Sequence, residues 1–197
     1  MSLNSTPSGE RIHIGIFGKR NAGKSSLINA ITSQDLSIVS DQKGTTTDPV
    51  FKAMELLPLG PVMLIDTPGI DDEGELGNMR VQRAYQILNK THLAILVVDG
   101  ISGLSDDDEK LLAFIQEKNV PVIVAFNKSE LLTDEERQNI KVDVPYMLVS
   151  AATGENIYQF KTALAKLLPE DEPNVMLEDL LRPNDVVVLV TPIDSSA

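Results

Sequence analysis

Apolar and polar positions along the chain follow two rhythms. Compact apolar or alternating runs occur at Arg11–Phe17, Val50–Leu57, Pro61–Asp66, Leu93–Asp99, Val120–Phe126 and Tyr146–Val149, and these read as strands. Spacing of three and four residues recurs at Ser25–Thr32, Asn78–Asn89, Asp106–Lys118, Thr133–Ile140 and Ile157–Leu168, and these read as helices. The interleaving predicts an α/β fold with a mostly parallel six-stranded sheet and helices on both faces. Val50–Leu57 and Pro61–Asp66, joined through Pro58–Gly60, predict an antiparallel hairpin. Ser33–Pro49 is polar, lacks periodicity and is too long for an ordinary connection, which marks it as a functional loop. The acids Asp106–Glu109 fall where a helix begins and are read as capping charge, which suits the positive end of the helix dipole.

The same pattern divides the chain. Residues 1–9, rich in Ser, Asn, Pro and Gly, read as a disordered N-terminus or tag, and residues 10–168 as one compact domain. Residues 169–174 are proline-rich and acidic, as a linker would be. Residues 175–197 hold a short helical stretch, Met176–Leu181, and a strand-like run, Val186–Ile193. That run either adds to the sheet edge or, the favoured expectation, begins a further region that is truncated here.

Composition narrows the function classes. A formal charge of −12 argues against non-specific binding of nucleic acid or anionic lipid, so the expected partners include no nucleic acid and no membrane. The chain has no cysteine, which excludes a disulfide framework and thiolate ligation of zinc or an iron–sulfur cluster. The histidines His13 and His92 lie far apart in sequence and are read as packed or surface residues. No apolar run approaches the roughly 18 residues of a membrane span, and no signal-peptide pattern opens the chain, so a cytoplasmic location is the expectation.

Chemistry enters at Gly18-Lys19-Arg20-Asn21-Ala22-Gly23-Lys24-Ser25, which fits G-x-x-x-x-G-K-[ST] between a predicted strand and a helix. Glycines let backbone N–H groups curl around phosphate oxygens, Lys24 reaches the β- and γ-phosphates, and Ser25 is placed to ligate Mg²⁺. Ser26, in the first helical turn, joins this phosphate site. Three further stretches follow in the order required of a guanine-nucleotide switch. In Asp66-Thr67-Pro68-Gly69, Asp66 would hold a Mg²⁺-bound water and the Gly69 amide would face the γ-phosphate. Asn127-Lys128-Ser129-Glu130 corresponds to an N-K-x-D box with Glu for Asp, whose carboxylate would accept from guanine N1–H and N2–H. Asn127 would contact the base and order the loop, and the Lys128 stem would pack across the base. Ser150-Ala151-Ala152 would offer the Ala151 or the Ala152 amide to guanine O6. All lie at the carboxyl ends of predicted parallel strands, where open α/β sheets bind ligands.

With these residues in view, the chain resembles the translation-factor-related class of P-loop GTPases with a Ras-like G domain, in the branch of MnmE, Era and Der. By that resemblance Thr46, in "DLSIVSDQKGTTTDP", closes on Mg²⁺ and the γ-phosphate, and Thr47 replaces an arginine common in the branch. Within the branch, "GTTTDPVFKAMELLPLGPVMLIDTPGIDDEGELG" looks most like the GTPase domain of the HydF family of [FeFe]-hydrogenase maturation proteins. "LRPNDVVVLVTPID" is similar to the start of that family's dimerisation region, which is where residues 175–197 would fall. The resemblance implies a homodimeric full-length protein, partner maturation proteins, and a monomeric fragment without the cluster-binding cysteines of that family.

Its implied cofactors are GTP or GDP, Mg²⁺ and K⁺. Ile70 stands where Ras-like GTPases orient the attacking water with glutamine, so another group must supply catalysis. In the MnmE-like branch an asparagine matching Asn21 helps bind K⁺, with carbonyls that would here come from Ser40 to Gly44. The alternative is that Asn21 merely accepts a left-handed turn conformation. Thus Lys24, Thr46, Gly69 and Asn21 form the expected catalytic set, and Ser25, Thr46, Asp66 and Asn21 the metal set. Asp71, Asp72, Glu73 and Glu75 are read as solvated charge, Gly77 replaces a water-orienting glutamate, and no general base is assigned. Slow intrinsic GTP hydrolysis is the expectation. The competing readings are a nucleotide-controlled interaction module with incidental hydrolysis, and a ribosome- or tRNA-associated GTPase.

Overall fold

A computed structural model describes residues 11–32, 38–42, 50–67 and 85–168. In chain order the elements are β1 (Ile12–Phe17), α1 (Lys24–Thr32), β2 (Ile38–Gln42), β3 (Val50–Leu56), β4 (Gly60–Asp66), β5 (Leu93–Asp99), α2 (Asp106–Glu117), β6 (Val122–Asn127), α3 (Asp134–Asn139), β7 (Tyr146–Leu148) and α4 (Ile157–Leu167). Residues 85–88 are also helical and Asn89 is a turn; these are the described part of the expected Asn78–Asn89 helix. The predicted N-terminus, linker and tail, and Thr46, Gly69, Ile70 and the acids from Asp71 to Glu75, lie outside the described residues.

The strands form one sheet in the order β2-β3-β4-β1-β5-β6-β7. From β4 to β7 all neighbours run parallel, while β3 pairs antiparallel with both β4 and β2. The predicted fold class and hairpin therefore hold. The difference is a seventh strand, β2, inside the stretch expected to be loop. Its sequence, IVSDQ, carries too little apolar periodicity to announce a strand. It is a strand because it pairs with β3, with a register shift between Ile38 and Ser40.

Side-chain alternation explains why β5 reads as a continuous apolar run. Leu93, Ile95 and Val97 enter one core with Ile14, Ile16, Leu27 and Phe160, while Ala94, Leu96 and Val98 enter the other with Phe17, Leu111, Ile115 and Phe126. A parallel strand covered on both faces has no polar side to show. The capping reading of the acidic run is specific to Asp108. Its carboxylate accepts from the Ser105 N–H at 3.1 Å while the Ser105 hydroxyl accepts from the Asp108 N–H at 3.4 Å, a capping box opening α2.

The two histidines, distant in sequence, meet at the amino end of β1. Their rings stack with centroids 5.1 Å apart, and His92 Nδ1 accepts the His13 backbone N–H at 3.1 Å. Burial, followed by the charge of His13, lowers the His92 pKa below its ordinary value. The unfolded chain therefore binds this proton more readily than the folded one, so stability falls as pH drops through the ordinary histidine range. Urea unfolding at pH 8 and pH 5.5 is expected to show that loss, and His92→Gln is expected to shrink it. An unchanged pH dependence in the variant would refute the assignment to His92. Among the described residues no helix is long and apolar enough to cross a membrane, and no group of three or more His, Asp or Glu is placed to hold a metal ion.

Candidate nucleotide site

The carboxyl ends of β1, β4, β5 and β6 converge on the residues singled out by sequence. Past β1 the chain turns through Gly18 at φ 137°, Asn21 at φ 63° and Gly23 at φ 93° before entering α1. A Cβ on Gly18 would overlap the Val97 carbonyl oxygen, and one on Gly23 would overlap the Asn127 side-chain amide. Both glycines are thus required by contact as well as by backbone conformation. Asn21 tolerates the left-handed region well, and its side chain is exposed at the loop tip.

Lys24 opens α1 and is 8% exposed; its ammonium donates to the Gly18 carbonyl at 2.9 Å and the Lys19 carbonyl at 2.7 Å. Next to it the Ser25 hydroxyl donates to Asp66 Oδ2 at 3.2 Å. Thr67 fixes this approach, since its hydroxyl donates to the Ile16 carbonyl at 2.7 Å and ties the end of β4 to β1. Asp66 Oδ1 is buried without a hydrogen-bond partner among the described residues. Burial raises the Asp66 pKa, opposed by Lys24, the Ser25 hydrogen bond and Lys52. An orphaned carboxylate oxygen beside a serine hydroxyl is a donor set that suits a hard, oxygen-preferring divalent cation such as Mg²⁺. Ser26 is exposed in the first turn of α1, and Ala22 is buried beneath the loop.

Asn127 ends β6 and joins the loops on either side of it. Its Nδ2 donates to the Ala22 carbonyl at 3.0 Å and its Oδ1 accepts from the Ala151 N–H at 3.0 Å. The side chain is 2% exposed, so it is an internal clamp between the phosphate loop and the 150–154 turn. Lys128 sits at φ 65°, and its ammonium pairs with Asp99, which ends β5 directly opposite Asn127 in the sheet register. Burial would raise the Asp99 pKa, but the hydrogen bond from Lys128, aided by the Ile101 and Ser102 amides, lowers it overall. Ser150 is fully buried, and its hydroxyl accepts from the Thr153 N–H at 3.0 Å, shaping the turn. Ala152 and Glu130 are exposed.

A cleft of about 260 Å³ lies between the loop tip at Lys19–Ala22 and the segment running from Val97 to Asp108. It borders the phosphate loop at its tip, while Lys24, Ser25 and Asp66 do not line it. Sequence reasoning missed Asp99, Arg137 and Glu155, which hold the base-side loops from behind. Asp99 had a usable signal, because it ends an apolar strand as Asp66 and Asn127 do.

A glycine turn with a buried lysine, a serine–aspartate pair and an asparagine clamp on a parallel sheet together define a P-loop nucleotide-binding domain. The chain belongs to the family described as 50S ribosome-binding GTPase, whose model matches residues 13–128. It is a GTPase domain of the Era and Der type. The GTPase Der of Kosmotoga olearia is 33% identical over 136 residues, a match that covers 66% of this chain and 30% of that protein. Era from Aquifex aeolicus, solved with GDP and AlF4−, superposes with a TM-score of 0.63 at 27% identity, covering 90% of this chain and 62% of that one. A second Era structure, in complex with MgGDPNP and nucleotides 1506–1542 of 16S ribosomal RNA, gives a TM-score of 0.63 at 28% identity, covering 88% of this chain and 60% of that one. The chain thus spans under two thirds of each of these relatives.

Proposed function

We propose that this chain is a Mg²⁺-dependent switch domain that binds GTP and GDP and hydrolyses GTP slowly. The observation that carries the reading is the meeting of Lys24, the Ser25–Asp66 pair and the Asn127 clamp at one end of the sheet. Lys24 would move from loop carbonyls to β- and γ-phosphate oxygens, exchanging two neutral acceptors for charged ones. Ser25 and Asp66, with Thr46, would hold Mg²⁺, which supplies charge neutralisation between the β- and γ-phosphates. Water attacks the γ-phosphorus, the bond to the β–γ bridging oxygen breaks, and GDP and phosphate leave. Loop amides, including that of Gly69, would hold the oxygens on which charge develops. At the base, Ala152 would be the donor to guanine O6, a reading supported by the Ala151 N–H already donating to Asn127, while Glu130 would accept from the opposite edge.

Asn21 retains two readings. Its φ of 63° supports the left-handed turn, and the family resemblance supports K⁺ beside the phosphates. GTP hydrolysis in matched KCl and NaCl, with Mg²⁺ and ATP as competitor, separates them and tests the whole proposal. Faster turnover in KCl, weakened by Asn21→Ala, is the expected result. Equal rates in both salts would remove K⁺, and equal use of ATP would remove the guanine assignment to Glu130.

The similarity to Der and Era favours a ribosome- or RNA-associated setting for the whole protein over hydrogenase maturation, which rests on sequence resemblance in the switch region and in residues 181–194 and is named by none of these relatives. The exclusion of nucleic acid is therefore withdrawn for the longer protein. With a net charge of −12 this chain is a poor general phosphate surface. The division at residues 10–168, 169–174 and 175–197, and a homodimer of the longer protein, belong to the same proposal.

A further inference from the structure

Base recognition in the proposed reading falls to Glu130, yet no hydrogen bond among the described residues holds its exposed carboxylate. Glutamate has one more rotatable bond than aspartate, so its carboxylate is only as well placed as the backbone that carries it. The residue before it is held on every side. Ser129 is fully buried, its N–H donates to the Val149 carbonyl at 3.1 Å, and its hydroxyl donates to Glu155 Oε2 at 2.6 Å. Its carbonyl accepts from Arg137 Nη2 at 2.7 Å, and the same guanidinium reaches Glu155 Oε1 through Nη1 at 2.9 Å.

We propose that Arg137 and Glu155 are positioning residues for guanine specificity, acting through Ser129 to aim Glu130. The inference rests on the reading of Glu130 as the base acceptor. Arg137 lies on α3 and Glu155 in the turn before α4, both beyond the residues 13–128 matched by the family model. As a pair about one third exposed at the surface they would add little stability. Their value lies in where they hold Ser129: the guanidinium fork fixes a carbonyl and a carboxylate at once, and that carboxylate fixes the serine hydroxyl. The two base-side loops are thereby locked to each other behind the ligand.

The test uses GDP and inosine diphosphate, which lacks the 2-amino group that Glu130 would read. The two affinities are measured by titration calorimetry for wild type, Arg137→Ala, Arg137→Lys and Glu155→Gln. Wild type is expected to prefer GDP, and Arg137→Ala to reduce that preference by about tenfold, the scale of one hydrogen bond to a charged group. Arg137→Lys should restore part of it, and adding Arg137→Ala to Glu130→Ala should change the preference no further. Equal loss of both affinities would mean that the network only keeps the loops folded, because a smaller competent population weakens all ligands alike. That outcome, or no change in either affinity, overturns the inference. If Arg137→Ala fails to fold, the near-isosteric Glu155→Gln carries the same comparison. A wild-type chain that binds both nucleotides equally would overturn the reading of Glu130 and this inference with it, whereas a GDP preference unmoved by the variants overturns the inference alone.

Discussion

Lys24→Ala is expected to weaken GDP and GTP binding by at least about a hundredfold while the chain stays folded. The ammonium is 8% exposed and held by two carbonyls of the loop it must neutralise, so its position is set before any phosphate arrives. A triphosphate brought to that loop without the lysine would meet the loop amides and the Mg²⁺ that Ser25 and Asp66 would hold, but no buried ammonium. The folded state loses less. The carbonyls of Gly18 and Lys19 give up one donor each, a cost of about 1–2 kcal/mol in total given their position at the rim of the sheet. Calorimetric titration with GDP in Mg²⁺, alongside a thermal melt, separates the two effects. Retained affinity with an unchanged melt would sink the P-loop assignment, since no other buried cation is described at the carboxyl end of β1.

The sequence showed most of the parallel half of this sheet because its strands announce themselves twice. Most are nearly uninterrupted apolar runs, and several end in a polar residue of the candidate site: Asp66 in β4, Asp99 in β5 and Asn127 in β6. Hydrophobic burial writes the first signal and the ligand-facing end of the strand writes the second. What stayed hidden was set by pairing beyond the β3–β4 hairpin. Strand β2 exists through its ladder with β3, and a polar segment gives no periodicity from which to infer that partner. The support of the base loops was equally hidden. Arg137 and Glu155 are 18 residues apart, and each on its own is an ordinary surface charge. Only the register that sets β6 beside β7 brings the loop after one strand against the turn after the other. Asn127 was legible as a motif residue facing the base, whereas the fold assigns both ends of its amide to backbone partners.

That assignment makes Asn127→Ala the second large effect. The side chain is 2% exposed and bridges the Ala22 carbonyl to the Ala151 N–H, so its removal leaves a buried acceptor and a part-buried donor unmatched. At about 1–3 kcal/mol for each group, a stability loss of about 2–5 kcal/mol is expected in chemical denaturation. Nucleotide affinity should fall by at least about a hundredfold, because the phosphate and base loops are no longer held in one frame. Asn127→Asp divides the two halves. A carboxylate still accepts from Ala151, but it offers no donor to Ala22 and sets negative charge against a carbonyl oxygen, so damage concentrates at the phosphate loop. The Gly23 contact supplies an independent check. A Cβ at Gly23 would strike the Asn127 amide, so Gly23→Ala should cost less in an Asn127→Ala background than in wild type. The cost should not vanish, because the φ of 93° still strains any residue other than glycine. Strict additivity of the two substitutions in stability would mean that the side chains do not meet, and the clamp would then have to lie elsewhere.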